Sequence, residues 1–331
     1  MKWYPWLNSP YQQILTCYQQ ASGHHALLLH SQPGNGEASL RYALSRWLIC
    51  RHPNGIKSCG VCHSCRLMIA GNHPDFYQLE LEKGRQSLGV DDIRVIIDSV
   101  YGRARLGGVK VVWLPQAELL SEKAANALLK TLEEPPADTY FLLVCQTPSR
   151  LLPTLRSRCF YCLLPTPDTA IGLRWLQQAG FTNLLFACTA LRLCTNAPVA
   201  AEALLQPKRW QERLALREAL YEAHDSGDFL TLLSVLNRDK DDSPLHWLLS
   251  LISDALKWQQ GAQGFLVNAD MTDLIAMLSA RWTIGVLHAQ WQQWSQCLRQ
   301  WQEISGVNRE LLLTHYLLNW EQGIADVRMT L

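Results

Sequence analysis

The sequence has almost no net charge: 30 Lys and Arg stand against 29 Asp and Glu, for a formal +1. No global field therefore draws the chain to nucleic acid or membrane, and any DNA contact has to be a local patch or be provided mainly by partners. It also lacks an apolar run of membrane-spanning length. The opening MKWYPWLNSP has no apolar core of the kind a secretory signal needs. Neither a repeat period nor a low-complexity tract occurs. A small secreted disulfide frame is missing too: of eleven cysteines, four cluster between Cys50 and Cys65 and the rest scatter through apolar helices and strands. That usage is expected of a reducing cytosol, so the sequence predicts a cytoplasmic protein. What is present is 331 residues, 48% hydrophobic and 18% charged, enough for two or three folded domains.

The most patterned stretch is Lys110 to Cys159. Val111 to Leu114 has the length and apolarity of a buried strand. A helix follows, in which Leu120, Ala124, Leu128 and Leu132 recur at four-residue spacing and Ala125 and Leu129 widen the stripe. Pro135 and Pro136 end it, because proline disfavours helical geometry in the preceding residue. Phe141 to Cys145 is a second buried strand, and the chain then runs to Ser157-Arg158-Cys159. Strand, helix, strand predicts a parallel α/β sheet. NALLKTLEEPP followed by LRSRC resembles the clamp-loader branch of the AAA+ ATPases over roughly residues 1–205, and the helical remainder fits by length and by Asn308-Arg309-Glu310-Leu311. The resemblance implies an α/β plus all-α protein: an AAA+-type P-loop domain with a zinc insertion, a small helical lid and a C-terminal helical collar.

The residues that should handle ATP are the ones missing. Strand His24–His30 runs into Ser31-Gln32-Pro33-Gly34-Asn35-Gly36-Glu37-Ala38 and then a helix, which is where a phosphate-binding loop belongs. A working loop needs Lys for the β/γ-phosphates and Ser or Thr for magnesium; Glu37 and Ala38 stand there, beside Gly34 and Gly36. A carboxylate at Glu37 repels a triphosphate. The resemblance places a magnesium-binding Asp-Glu pair at Pro115 and Gln116, and a lid arginine at Val199. Losing the lysine, the hydroxyl, the carboxylate and the arginine together leaves nothing to stabilise a transferred phosphoryl group.

Cys50, Cys59, Cys62 and Cys65 have the spacing C-x8-C-x2-C-x2-C. Four thiolates in so short a loop suit a closed tetrahedral zinc, which is structural because no position remains for water. An iron–sulfur cluster, or free thiols with Cys50 merely a core residue, are the rival readings; His52 and His63 read as solvated loop residues. The resembled family carries a zinc module at this place. Val90, Ile93, Ile96, Ile97 and Val100 mark a helix opening on Asp91-Asp92, acids suited to a helix N-terminus. Arg103, Arg105 and Lys110 then read as a solvated basic connector rather than a DNA contact.

Pro165-Thr166-Pro167 is a hinge, after which strand signals almost vanish. The expected domains are 1–164, α/β with the degenerate loop and the four-cysteine module at 50–65; 165–207, a helical lid; and 208–331, a helical collar. In the last, Leu287, Trp291, Trp294, Leu298 and Trp301 form one predicted core stripe. By resemblance the chain joins gamma/tau ATPase subunits and a delta subunit in a ring that opens a sliding clamp and places it on primer–template DNA. One residue has a chemical role in that picture. In the resembled proteins the Ser-Arg-Cys arginine, here Arg158, is an arginine finger reaching a neighbouring subunit's ATP; otherwise Arg158 is solvated or salt-bridged like Arg150 or Arg156. Two other classes compete with the ring subunit, an unorthodox AAA+ ATPase and a zinc-dependent DNA-binding module. Nucleotide binding by the isolated chain favours the first, and salt-sensitive DNA binding the second.

Overall fold

Five short apolar runs form the strands β1 (Ala26–Ser31), β2 (Phe76–Gln78), β3 (Lys110–Leu114), β4 (Thr139–Cys145) and β5 (Phe160–Leu164). They make one parallel sheet in the order β2-β3-β4-β1-β5. The computed structural model describes residues 2–20, 23–79, 87–238, 241–304 and 306–329, the last eight of them as backbone only. The chain divides into two compact units, Met1–Pro167 and Asp168–Leu331. Among the described residues no single helix is long and apolar enough to cross a membrane.

In the first unit β3 is buried along its whole length, as expected where helices cover both faces of a parallel sheet. The helices are α1 (Asn8–Gln19), α2 (Glu37–Ile49), α3 (His63–Ala70), α4 (Val90–Tyr101), α5 (Glu122–Glu133) and α6 (Pro153–Arg156). Ser121 caps α5, its hydroxyl accepting the Ala124 N–H at 3.2 Å. That cap starts the helix at Glu122, so Leu120 packs from the preceding turn while Ala124, Ala125, Leu128 and Leu132 face the core. In α4, Asp92 accepts the Gly89 N–H at 2.9 Å. The acid there satisfies one of the donors a helix N-terminus leaves unpaired.

Lys110 corrects the sequence reading of a solvated connector. Arg103 and Arg105 are exposed, but Lys110 is the first residue of β3 and only 4% exposed. Its ammonium donates to the carbonyl oxygens of Val100 and, at 2.8 Å, Gly102. A cation belongs there, because the last carbonyls of α4 carry the negative end of its dipole. Asp75, fully buried, holds the same turn from the other side by accepting the N–H groups of Arg105 at 2.7 Å and Leu106 at 3.0 Å. Lys110→Met is expected to cost about 1.5–3 kcal/mol, the range for hydrogen bonds to charged groups. Urea unfolding measures this; an unchanged midpoint would show that water replaces the ammonium freely.

The second unit is helical throughout its described length: α7 (Thr169–Gln178), α8 (Leu184–Leu193), α9 (Pro198–Leu204), α10 (Pro207–Ser226), α11 (Leu233–Leu236), α12 (Ser243–Gln259), α13 (Thr272–Arg281), α14 (Ile284–Glu303) and α15 (Arg309–Met329). Helices α7, α8 and α9 pack on one another, and α12 packs on α13 and α14. The fully buried Trp294 and Trp320 centre an aromatic cluster, with Phe229 at 4.9 Å and Trp282 at 5.3 Å from Trp320. The expected stripe on α14 is corrected at two points, Trp291 and Leu298, the latter half-buried beside an inner Cys297. Leu287, Trp294 and Trp301 are buried, but Trp291 is 41% exposed and Gln290 takes the inner place. The buried face runs 287, 290, 294, 297, 301, an uninterrupted three-four alternation through a polar residue and Cys297. Arg213 and Asp270, 1% and 2% exposed, form a buried ion pair that the sequence pattern did not flag.

Candidate functional site

The loop after β1 has the backbone of an anion cradle, and its own side chain fills it. Gly34 and Gly36 have φ of +73° and +93°, the left-handed region that glycine enters without strain. At Gly36 a Cβ would also lie 2.7 Å from the Tyr4 ring, so no larger residue fits. The Glu37 carboxylate folds back over the loop. One oxygen accepts the Gly34 N–H at 3.4 Å and the other the Asn35 N–H at 3.1 Å. These are donors that successive backbone amides at a helix N-terminus offer to a bound anion. The sequence showed Glu37 as a charge clash; the geometry shows it as an internal anion bonded to the cradle.

The loop is also held shut from behind. Asn35 is fully buried, and its side-chain amide donates to the carbonyls of Leu164 at 3.1 Å and Pro165 at 3.0 Å. Trp6 donates its indole N–H to the Asn35 carbonyl at 2.8 Å and stacks on Tyr4 with 5.0 Å between centroids. Pro115 and Gln116 follow directly on β3, and neither offers a carboxylate. The next acid along, Glu118, accepts the Gln146 N–H at 2.9 Å. Val199 lies half-buried in the first turn of α9. Ala38, where a magnesium-binding hydroxyl would stand, is inside α2.

The four predicted cysteines converge. One ligand atom from each of Cys50, Cys59, Cys62 and Cys65 lies within 4.8 Å of all the others. Cys59 and Cys65 are 3.9 Å apart, too far for a disulfide and close to the separation that tetrahedral Zn–S bonds of ~2.3 Å produce. Backbone N–H groups of Cys59, Cys62 and Cys65 donate to the sulfurs of Cys50, Cys59 and Cys62 at 3.2, 3.4 and 3.4 Å. Such bonds favour thiolate: the Cys62 N–H holds the Cys59 thiol down to about 6, while burial pushes Cys65 up to about 12. A divalent cation among them would draw all four to thiolate. The donor set therefore fits zinc. His52 and His63 are exposed and outside the cluster. Tyr11, Trp47 and Gln19 hold the polar loop by donating to the carbonyls of Ile56, Gly55 and Gly55 at 2.8, 2.9 and 2.9 Å.

Arg158 sits at the end of the turn between α6 and β5. Its guanidinium donates to the Thr154 carbonyl at 2.9 Å and pairs with Glu133 at the end of α5. Both side chains are partly exposed, 34% and 48%, so the pair holds by only ~0–1 kcal/mol. Arg150 and Arg156 are exposed. Burial pushes the neighbouring Cys159 thiol up to about 12, which leaves it inert as a nucleophile. Glu133 had no distinguishing signal in the sequence, since only the α5–α6 packing brings it to Arg158.

Comparison with known families covers nearly the whole chain. The family described as DNA polymerase III, delta subunit, matches residues 7–168. DNA polymerase III subunit delta', AAA+ ATPase lid domain, matches residues 167–206. DNA polymerase III, delta subunit, C terminal, matches residues 207–322. The chain is 54% identical to DNA polymerase III subunit delta' of Yersinia pestis, over 98% of this chain and 97% of that one. To the subunit delta' of Escherichia coli (strain K12) it is 45% identical, over 97% and 96%. DNA polymerase III subunit tau of Salmonella typhimurium is 36% identical over 44% of this chain and 22% of its own length.

Proposed function

Because the chain belongs to the delta-prime subunit family of DNA polymerase III, a component of the clamp loader, we propose that it is a ring member that neither binds nor hydrolyses ATP and instead completes a neighbour's ATP site. The observation that carries the first half is the Glu37 carboxylate bonded to the Gly34 and Asn35 amides. An incoming phosphate would have to displace that carboxylate and tolerate its charge, without the lysine that offsets this in working loops. The second half rests on Arg158, which is partly exposed and held by bonds that are easily exchanged. A guanidinium with planar, always-charged donors is suited to phosphate oxygens as charge develops on them.

In this reading residues 1–164 form the AAA+-like domain, 165–207 the lid and 208–331 the collar. The partners are gamma/tau ATPase subunits and a delta subunit, with the sliding clamp and primer–template DNA reached through the assembled complex in the cytoplasm. The likeness to a tau subunit over 44% of the chain supports a common ATPase-type domain on both sides of the shared site. The exposed Trp291 supports contacts of the collar beyond the chain itself. Zinc, one per chain, is structural and takes no part in hydrolysis.

Calorimetry tests the first half. ATP with magnesium is expected to give no heat attributable to the loop, and the isolated chain no magnesium-dependent hydrolysis. Micromolar binding near one per chain that depends on magnesium would sink the reading. Ring reconstitution with and without this chain then reports whether it raises the ATPase of its neighbours.

A further inference from the structure

The cleft that adjoins the zinc module is not part of either function above. It has a volume of about 640 Å³ and lies between α1, α2, α3 and the segment just before Cys59, within the ~300–1,000 Å³ range of small-ligand clefts. Three aromatic residues, Trp3, Tyr11 and Tyr42, and three cations, Lys2, Arg46 and Lys57, are among its lining, and no carboxylate is. Arg46 lies 5.7 Å from the Tyr42 ring centroid. Its Nε is buried without a hydrogen-bond partner among the described residues. Arg46 is half-buried, and its guanidinium beside the Tyr42 ring adds a fixed positive charge to this wall of the cleft.

The surroundings point to an anion. Residues 1–74 contain six Lys or Arg and one acid, in a chain whose total is close to neutral. That acid, Glu37, is bonded to the loop amides. Four thiolates around a divalent zinc leave two negative charges, and the local positive surplus outlasts them. The aromatic residues narrow the choice. Trp3 is 39% exposed, with its indole N–H held at 2.7 Å by Asn8 and its ring 5.3 Å from Tyr11. Tyr11 and Tyr42 are anchored through their hydroxyls to the carbonyls of Ile56 and Met68, at 2.8 and 3.4 Å. A run of Asp and Glu side chains has carboxylates but no π-face, whereas a nucleotide strand carries a base beside every phosphate. Cations tracking a backbone with aromatic rings beside it are how single strands are bound without regard to sequence.

We propose that this cleft binds a short stretch of single-stranded nucleic acid, one or two nucleotides, with Lys57 and Arg46 on phosphates and Trp3 stacked on a base. It is separate from the closed phosphate loop, and no ATP chemistry is involved. The site depends on the zinc module only because residues 56–58 form one wall.

The test is fluorescence anisotropy of a labelled oligothymidylate of about ten nucleotides with the full chain, at low and moderate salt. Binding is expected, weakening with salt as phosphate contacts require. Binding weakened by Lys57→Glu belongs to this cleft of a ring subunit, whereas salt-sensitive binding untouched by that change would favour the zinc-dependent DNA-binding module instead. Lys57→Glu and Trp3→Ala, both at exposed positions, should each weaken it about tenfold or more, a loss of stacking or of one phosphate contact. Trp3→Phe should keep most of it, with zinc content and circular dichroism unchanged in all three. Competitors separate the sources. Unlabelled strand should displace the probe. Displacement at equal concentration by inorganic phosphate alone, by polyglutamate or by duplex DNA would overturn the proposal, as would unaltered binding in either weakening variant. ATP displacement that is magnesium-independent and lost in Lys57→Glu would belong to this cleft; magnesium-dependent ATP binding that survives Lys57→Glu would instead count against the closed loop.

Discussion

Replacing Arg158 with alanine is expected to slow ATP hydrolysis about 10³-fold at the one neighbouring site proposed for it, while the chain folds, keeps its zinc and assembles. Folding should survive because, among the described residues, the guanidinium makes a bond to the Thr154 carbonyl and a partly exposed pair with Glu133, together worth little. The catalytic half follows from charge. In a dissociative phosphoryl transfer the protein's work is to position groups and neutralise developing charge, so a single planar cation matters greatly. Arg158→Lys should not rescue, because an ammonium lacks the fork that meets two oxygens at once. Glu133→Gln separates the roles. It releases the Arg158 guanidinium from its partner without removing it, so in the proposed role hydrolysis should stay at or above the original rate. In the proposed ring, where other subunits would complete their own neighbours, steady-state ATPase should fall less than the single site; single-turnover hydrolysis and coupled clamp loading are the sensitive readouts. A ring containing Arg158→Ala that loads clamps at the normal rate would end the assignment.

The second large effect is expected from the metal. Elemental analysis of protein purified under reducing conditions should find one zinc per chain, and Cys65→Ser should release most of it. Structural zinc contributes roughly 10–16 kcal/mol of binding free energy in isolated zinc peptides. Here that energy has to order residues 51 to 62, where the apolar side chains are few and Val61 is itself 69% exposed. Cys65 is nearly fully buried, at 1%, and its N–H also bonds the Cys62 sulfur that caps α3, so its loss should loosen α3 as well as the loop. Limited proteolysis after Arg51 or Lys57 should accelerate strongly in the variant or with chelator. The sheet should survive, because β1, β3 and β4 form their own core with α4 and α5. Iron in place of zinc, or intact protein with no metal at all, would overturn this.

The primary sequence by itself determined the local elements of this protein. Apolar runs of strand length in β1, β3 and β4 and the four-residue spacing in α5 are local patterns, visible because each element meets the core along one repeating face. The cysteine set was legible for the same reason: two C-x2-C turns bring sulfurs together through local backbone geometry. The residue types at Glu37, Ala38, Pro115 and Gln116, on which the proposed lack of ATPase activity rests, could be read directly, since which residues stand there needs no coordinates. Tertiary structure decided the rest, wherever a residue's meaning depends on a distant partner. Lys110 looked like one more exposed cation until β3 brought it under the carbonyl end of α4. Trp291 had the size of a core residue, but the phase of α14 against its neighbours turned Gln290 inward instead. Glu37 became a bonded anion only when the loop folded over it, and Arg158 found Glu133 only when α5 and α6 packed. Hydrophobic periodicity is short-ranged and survives in the sequence; charge pairing is set by approach in space, between residues as far apart in the chain as Arg213 and Asp270.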